Sequence, residues 1–213
     1  MPTGIDITIA IVLFGSYFLG AGVKRYNRKK GENIPTGKSP LDSNLQKIIV
    51  FSCLVALDIV FGFLAPFFLL FDIYHQLLDW STLIYFISSA NLLLILQILG
   101  CCLYVIGYII YVMGRFELKG YFSELWNPAK LGDNFTRTGI YSRMRHPLYT
   151  GGFIFQIGLV ILFQTWLGLL FFIPPTIITI KQALKEEQWM IERFGEEYKD
   201  YMKRTWRFFP KLW

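Results

Sequence analysis

All 21 lysines and arginines of this chain fall in three windows: residues 24–47, residues 115–145 and the positions beyond 180. The stretches between those windows are apolar. At about 1.5 Å of helical rise per residue, several are long enough to cross the roughly 30 Å hydrocarbon core of a bilayer. A polytopic membrane protein sorts its cations this way, because basic residues stay on the cytosolic side of its spans. The composition agrees. Of the 213 residues, 54% are hydrophobic and only 17% charged, less charge than a soluble domain of this size carries. The net charge of +6 is then a signal of topology, and no nucleic-acid partner is expected.

The pattern predicts an all-α, polytopic fold of five transmembrane helices in a single domain, residues 1–213. Three N-terminal spans occupy residues 1–114, at 5–23, 47–71 and 82–113. The half from 115 to 213 holds an interfacial segment rich in aromatics, then two shorter apolar halves at 149–163 and 167–180, joined at Gln164, Thr165 and Trp166. Pro174 and Pro175 are expected to bend the second. Neither residues 72–80 nor residues 164–166 contain a lysine or arginine, so both turns are expected outside, with the N-terminus outside and the C-terminus in the cytosol. The membrane is the plasma membrane in a prokaryote, the endoplasmic reticulum in a eukaryote. The first apolar segment lacks a basic start and a small-residue cleavage site, and reads as a retained span. Cys53, Cys101 and Cys102 lie inside apolar segments without CxxC spacing, which predicts neither disulfides nor a metal site. From Lys181 the tail reads as helix, Gly195 as its C-terminal cap, and residues 196–204 as a second short helix in which Asp200 and Arg204 are spaced to pair.

One polar interruption, residues 138–152, packs two arginines, a histidine, two tyrosines and three glycines against an apolar run. Pro147 pushes His146 out of the helical region and itself suits the first turn of a new helix. His146 then stands at a helix mouth on the membrane surface, a place where a charged small molecule can be held. A hairpin that starts and ends in polar residues brings His146 and Glu186 to the same face. Each residue also has a plainer reading. His146 alone is a helix cap, Glu186 and Glu187 beside Lys185 are a solvated face, and Arg145 is a positive-inside anchor. Tyr198, Tyr201, Phe208 and Phe209 read as packing and interface anchors. Asp58, an acid inside a span, is a functional candidate without an obvious cationic partner. His75 falls in the outer link and reads as solvated.

Taken in order, the motifs carry more. They are Gly139-Ile140-Tyr141, Arg145-His146-Pro147-Leu148-Tyr149 with Gly151, Glu186-Glu187, Phe194-Gly195 with Tyr198 and Tyr201, and Arg207-Phe208-Phe209-Pro210. From about Leu131 onward the chain resembles the isoprenylcysteine carboxyl methyltransferase family of membrane methyltransferases. The resemblance implies S-adenosyl-L-methionine as cofactor. It places cofactor contacts on Tyr141, His146, Pro147, Leu148, Tyr149 and Glu186, and on the strip before the Gly139 turn, Asn134, Phe135 and Thr136. It also implies a lipophilic, prenylated acceptor delivered from the bilayer, with membrane lipids as the other partners. Where carboxyl methyltransferases of the family carry an arginine, one helical turn before the Glu pair, this chain has Gln182. Gln182 and Arg204 are then the candidates on the catalytic side, and Arg204 and Arg207 suit an acceptor carboxylate or a lipid phosphate equally. The departure at Gln182 keeps N-methylation of a phospholipid headgroup open. An NADPH-dependent sterol-type reductase resembles the same C-terminal region. A non-enzymatic scaffold or transporter is the remaining alternative, although no internal repeat supports it.

Overall fold

A computed structural model of the chain describes residues 4–31, 59, 90–118, 135–163 and 167–209. Among them every regular element is helical: α1 (Gly4–Gly31), α2 (Ala90–Leu118), a 3-10 turn (Gly139–Ser142), α3 (Pro147–Phe163), α4 (Leu167–Phe194) and α5 (Glu196–Arg204). The all-α expectation holds for these residues. Two stretches, Asp6–Val23 and Asn91–Leu118, are long and apolar enough to cross a membrane, and Pro147–Phe163 is a shorter apolar helix. The expected span at 47–71 with Asp58, the link with His75, and the turn at Gln164, Thr165 and Trp166 lie outside the described residues. Two expected boundaries change. α2 runs on to Leu118 instead of ending at 113. The second apolar half and the tail after Lys181 are one continuous helix, α4, with Pro174 and Pro175 inside it.

Glycines set how closely the central helices meet. Gly100, Gly107 and Gly114 on α2 recur every seven residues, as do Gly151 and Gly158 on α3. A Cβ at Gly100 would stand 2.5 Å from the backbone nitrogen of Leu162, and one at Gly151 would stand 2.6 Å from the carbonyl oxygen of Gly107. A Cβ at Gly107 would strike the backbone nitrogen of Phe155, and one at Gly158 that of Tyr104. Backbone therefore touches backbone along the seam. In lipid, where apolar burial does not favour one helix over a tail, such close dispersion contact holds helices together. The partners run Gly100 with Leu162, Gly107 with Phe155 and Gly114 with Pro147, so α3 is antiparallel to α2.

α1 runs parallel to α2. Its buried stripe of Asp6, Ile9, Ala10, Leu13, Ser16 and Val23 follows the helical repeat. The Ser16 hydroxyl bonds that of Tyr104, and the Tyr108 hydroxyl donates to the carbonyl of Ser16. One turn from its end, Tyr26 meets Phe116 edge-on at 5.8 Å. Ile9, Leu13, Tyr104, Leu159, Leu162 and Phe163 form the shared core. The C-terminal ends of α1 and α2 and the N-terminal end of α3 thus finish at one face. There the 3-10 turn sits on the end of α2. Thr138 donates to Oε2 of Glu117 at 3.2 Å, and Gly139, at φ +55°, lies so close to that carboxylate that a Cβ would collide with it.

Candidate cofactor site

The chain reaches this face a second time. Gly195 adopts φ +57°, a left-handed conformation that suits glycine, and its N–H donates to the carbonyl of Ile191 at 2.8 Å. α4 stops there, and α5 turns back toward the bundle. Phe135 fills the angle between the two helices, with ring centroids 5.0 Å from Phe194 and 5.2 Å from both Tyr198 and Tyr201. Burial pushes the Tyr201 phenol up to about 12, which keeps it a neutral donor, and it donates to the carbonyl of Tyr141 at 2.6 Å.

Beyond α5 the tail pairs with the loop ahead of α3. The Arg145 N–H donates to Trp206 at 2.7 Å and the His146 N–H to Arg207 at 3.1 Å, while Trp206 donates to Arg143 at 3.0 Å. This is a single parallel bridge centred on Met144 and Trp206. Thr150, fully buried in the first turn of α3, extends the seam by donating its hydroxyl to Phe208 at 2.7 Å.

This double anchoring holds the His146 imidazole between two consecutive carboxylates. Nδ1 lies 3.5 Å from Oε2 of Glu186 and Nε2 lies 3.3 Å from Oε1 of Glu187. The second approach is a close polar contact without hydrogen-bond alignment. The ring stacks on Tyr149, centroids 5.4 Å apart and planes 9° off parallel, and Phe208 lies 5.6 Å away on a tilt.

The two carboxylates have different surroundings. Glu187, its side chain 4% exposed, accepts from Nε of Arg145 at 2.7 Å, and from Nε and Nη2 of Arg207 at 2.9 and 2.7 Å. Burial works to raise its pKa, but the His146 ring and the two guanidiniums outweigh it and hold the carboxyl well below the usual range. Glu186, its side chain 27% exposed, accepts from the Tyr149 hydroxyl at 2.7 Å and, at 3.5 Å, from the Gln182 amide. Burial raises its pKa, the Glu187 charge adds to that, and His146, Tyr149 and Gln182 only partly reverse it. An acid disfavoured as an isolated anion yet still reachable is suited to a cationic, hydrogen-bonding ligand.

The sequence-predicted residues divide accordingly. His146, Tyr149, Glu186 and Gln182 meet in one cluster. Tyr141 is buried beneath it and Phe135 supports it from the aromatic cluster; Thr136 is half-buried beside them. Pro147 and Leu148 face α2, where a Cβ on Gly114 would lie 3.3 and 3.4 Å from them, so their side chains pack the helices. Asn134 lies outside the described residues. Arg204 is exposed in the last turn of α5; the tail arginine that enters the cluster is Arg207, three residues beyond the end of the helix that turns Arg204 outward. The expected Asp200–Arg204 pair is replaced by Asp200 and Lys203 at 2.8 Å, since the i,i+3 lysine stands on the same exposed face. Arg145 and Glu187, read from sequence as an anchor and a solvated acid, are buried partners. Their separation of 42 residues leaves no spacing signal. The helical repeat linking buried Ala183 to buried Glu187 is the one trace of it.

Comparison with known sequences shows what this half of the chain is similar to. Residues 95–197, from α2 into the start of α5, match the family model described as phospholipid methyltransferase. The resemblance to the isoprenylcysteine carboxyl methyltransferase family is borne out by two curated relatives. A protein-S-isoprenylcysteine O-methyltransferase of Dictyostelium discoideum is 29% identical over 115 residues, covering 53% of this chain and 48% of that protein. The protein of the same name from Saccharomyces cerevisiae is 31% identical over 110 residues, 51% of this chain and 46% of that one. A steroid 5-alpha-reductase of Solanum lycopersicum is 26% identical over 77 residues, 36% of this chain and 30% of that one. The chain spans about half the length of the isoprenylcysteine relatives it matches.

Proposed function

We propose that this chain is an integral membrane methyltransferase that uses S-adenosyl-L-methionine and acts on a lipophilic acceptor arriving from the bilayer, of the isoprenylcysteine carboxylate kind. The observation that carries the reading is the imidazole of His146 lying between Glu186 and Glu187, with Tyr149 fixed on Glu186. The chemistry of this donor set fits the cofactor. Glu186 suits its ribose hydroxyls or amino group, the rings of Tyr149 and His146 suit a flat base or a cationic sulfur, and backbone N–H groups at the mouth of α3 suit its carboxylate. When bound, the group supplies an electrophilic methyl. The residues of this chain then have one task, to hold donor and acceptor in line and to keep water out. A carboxylate acceptor needs no general base.

Five spans, N-terminus outside and C-terminus cytosolic, remain our reading of the topology. The parallel run of α1 and α2 supports it, because two parallel spans need a returning span between them, and the apolar sequence at 47–71 is our candidate for it. Methyl transfer to a phospholipid amine is the second reading. It is favoured by Gln182, a neutral side chain beside Glu186 where a cation would hold an anionic acceptor.

Titration calorimetry of the detergent-purified chain with S-adenosylhomocysteine tests the cofactor. Binding that Glu186→Ala weakens is the expected result. No binding to the unaltered chain, or tighter binding of NADPH, defeats the proposal. Methyl transfer to a prenylcysteine compared with an aminophospholipid then separates the two acceptors.

A further inference from the structure

We infer that Glu187 is a positioning residue: it clamps the loop ahead of α3 to the C-terminal tail and thereby sets the plane and reach of the His146 imidazole toward Glu186. The inference rests on the reading of the site as a cofactor pocket, but its geometry stands apart from any ligand.

Three observations meet at this side chain. First, its two oxygens divide their partners. Oε1 takes Nε of Arg145 from the loop and Oε2 takes the Nε and Nη2 of Arg207 from the tail. One carboxylate on α4 thus joins two segments that also meet through backbone pairs between residues 143–146 and 206–207 and through the Thr150 and Tyr201 hydroxyls. Second, Arg145 continues past Glu187, its Nη1 donating to the carbonyls of Met202 and Thr205 at 3.0 and 2.5 Å. The guanidinium therefore also closes the end of α5, whose last carbonyls have no helical partner. Third, Oε1 also lies 3.3 Å from Nε2 of His146. The ring is bounded by Glu187 at one nitrogen, Glu186 at the other, and Tyr149 across its face at 5.4 Å. With Glu187 fully engaged by cations, Glu186 is the carboxylate left to meet a ligand.

A positioning role predicts that Glu187 acts on ligand binding through His146, and it separates from simple packing in two ways. The chain has 2 histidines, so protein labelled with 15N-histidine gives an assignable spectrum, with His146 identified by the signals lost in His146→Gln. Glu187→Gln keeps the volume of the side chain and removes its charge. The expected result is a displaced His146 ring signal. The dissociation constant for S-adenosylhomocysteine should rise about tenfold, while the same substitution placed on His146→Gln should change it less than about twofold, as coupled residues do. An unmoved ring signal, or the same factor in both backgrounds, overturns the inference. If Glu187→Gln does not fold, Arg207→Gln, which removes the tail guanidinium from Oε2 of Glu187 and leaves Arg145 in place, carries the ring-signal test with the same two outcomes. If the unaltered chain does not bind S-adenosylhomocysteine, the cofactor reading fails, and the ring signal still decides the positioning role.

Discussion

Glu186 and Glu187 follow one another on α4, but a helix turns about 100° per residue, and the two side chains enter different surroundings. Glu187 points into the seam between loop and tail, where two guanidiniums saturate it. Glu186 points toward the mouth of α3, where its partners are a phenol, an amide and one imidazole nitrogen. The first arrangement favours the charged carboxylate and fixes structure. The second leaves an acid with unused acceptor capacity at a reachable surface. The difference teaches that the polar residues of this face are divided between a lock and a receptor, with His146 shared by both.

The largest expected effect breaks the lock. Glu187→Ala leaves Arg145 buried without its counter-charge, a loss of about 3–5 kcal/mol, read as a lowered thermal midpoint in detergent. Glu186→Ala is expected to act on the other side. Losing hydrogen bonds to a charged group costs about 1.5–3 kcal/mol, so S-adenosylhomocysteine binding should fall about tenfold to a hundredfold, while the thermal midpoint at neutral pH stays near that of the unaltered chain. If both variants lose stability alike, the division is wrong.

Acid sharpens the contrast, because the two carboxyls have opposite signs. The folded-state pKa of Glu187 is lowered, so its stabilisation is complete above the unfolded value of about 4.3 and is lost as pH falls. That of Glu186 is raised, so ionising it weakens the fold as pH rises, and acid relieves the strain. Between about pH 7 and about pH 4 thermal midpoints should therefore decline more steeply in Glu186→Gln than in the unaltered chain, and from about pH 4 down to about pH 2 they should decline less in Glu187→Gln. A smaller effect is expected at the seam. Gly107→Ala drives a methyl into the backbone of Phe155, and overpacking of this kind costs about 1–3 kcal/mol, again read as thermal midpoint. The smallest is Arg204→Gln on the exposed face of α5, expected within about 0.5 kcal/mol of the unaltered stability.

Much of the fold was legible because its causes are local. Apolar length marks α1 and, among the described residues, α2 at Ala90–Leu118, and Pro147 sets the start of α3 at the residue where the structure begins it. Gly195 marks the end of α4 because the turn needs its positive φ. The meeting of His146 with Glu186 was also legible, since a hairpin that starts and ends in polar residues returns to its own face. What escaped were contacts between segments far apart in sequence: Arg145 with Glu187, Arg207 with Glu187, and the tail bridge at Met144 and Trp206. The glycine heptads lay in plain view, but a glycine in an apolar run is equally compatible with a lipid-facing position until its partner helix is known.

The sequence by itself determined where helices form and which motifs stand at the polar face, because hydropathy, proline and glycine act within a few residues of themselves. Only the tertiary structure decided which of two adjacent glutamates would be locked and which left open, and which tail arginine would turn inward. Those choices depend on the angle at which α4, the loop and the tail meet, and that angle is a property of their packing together.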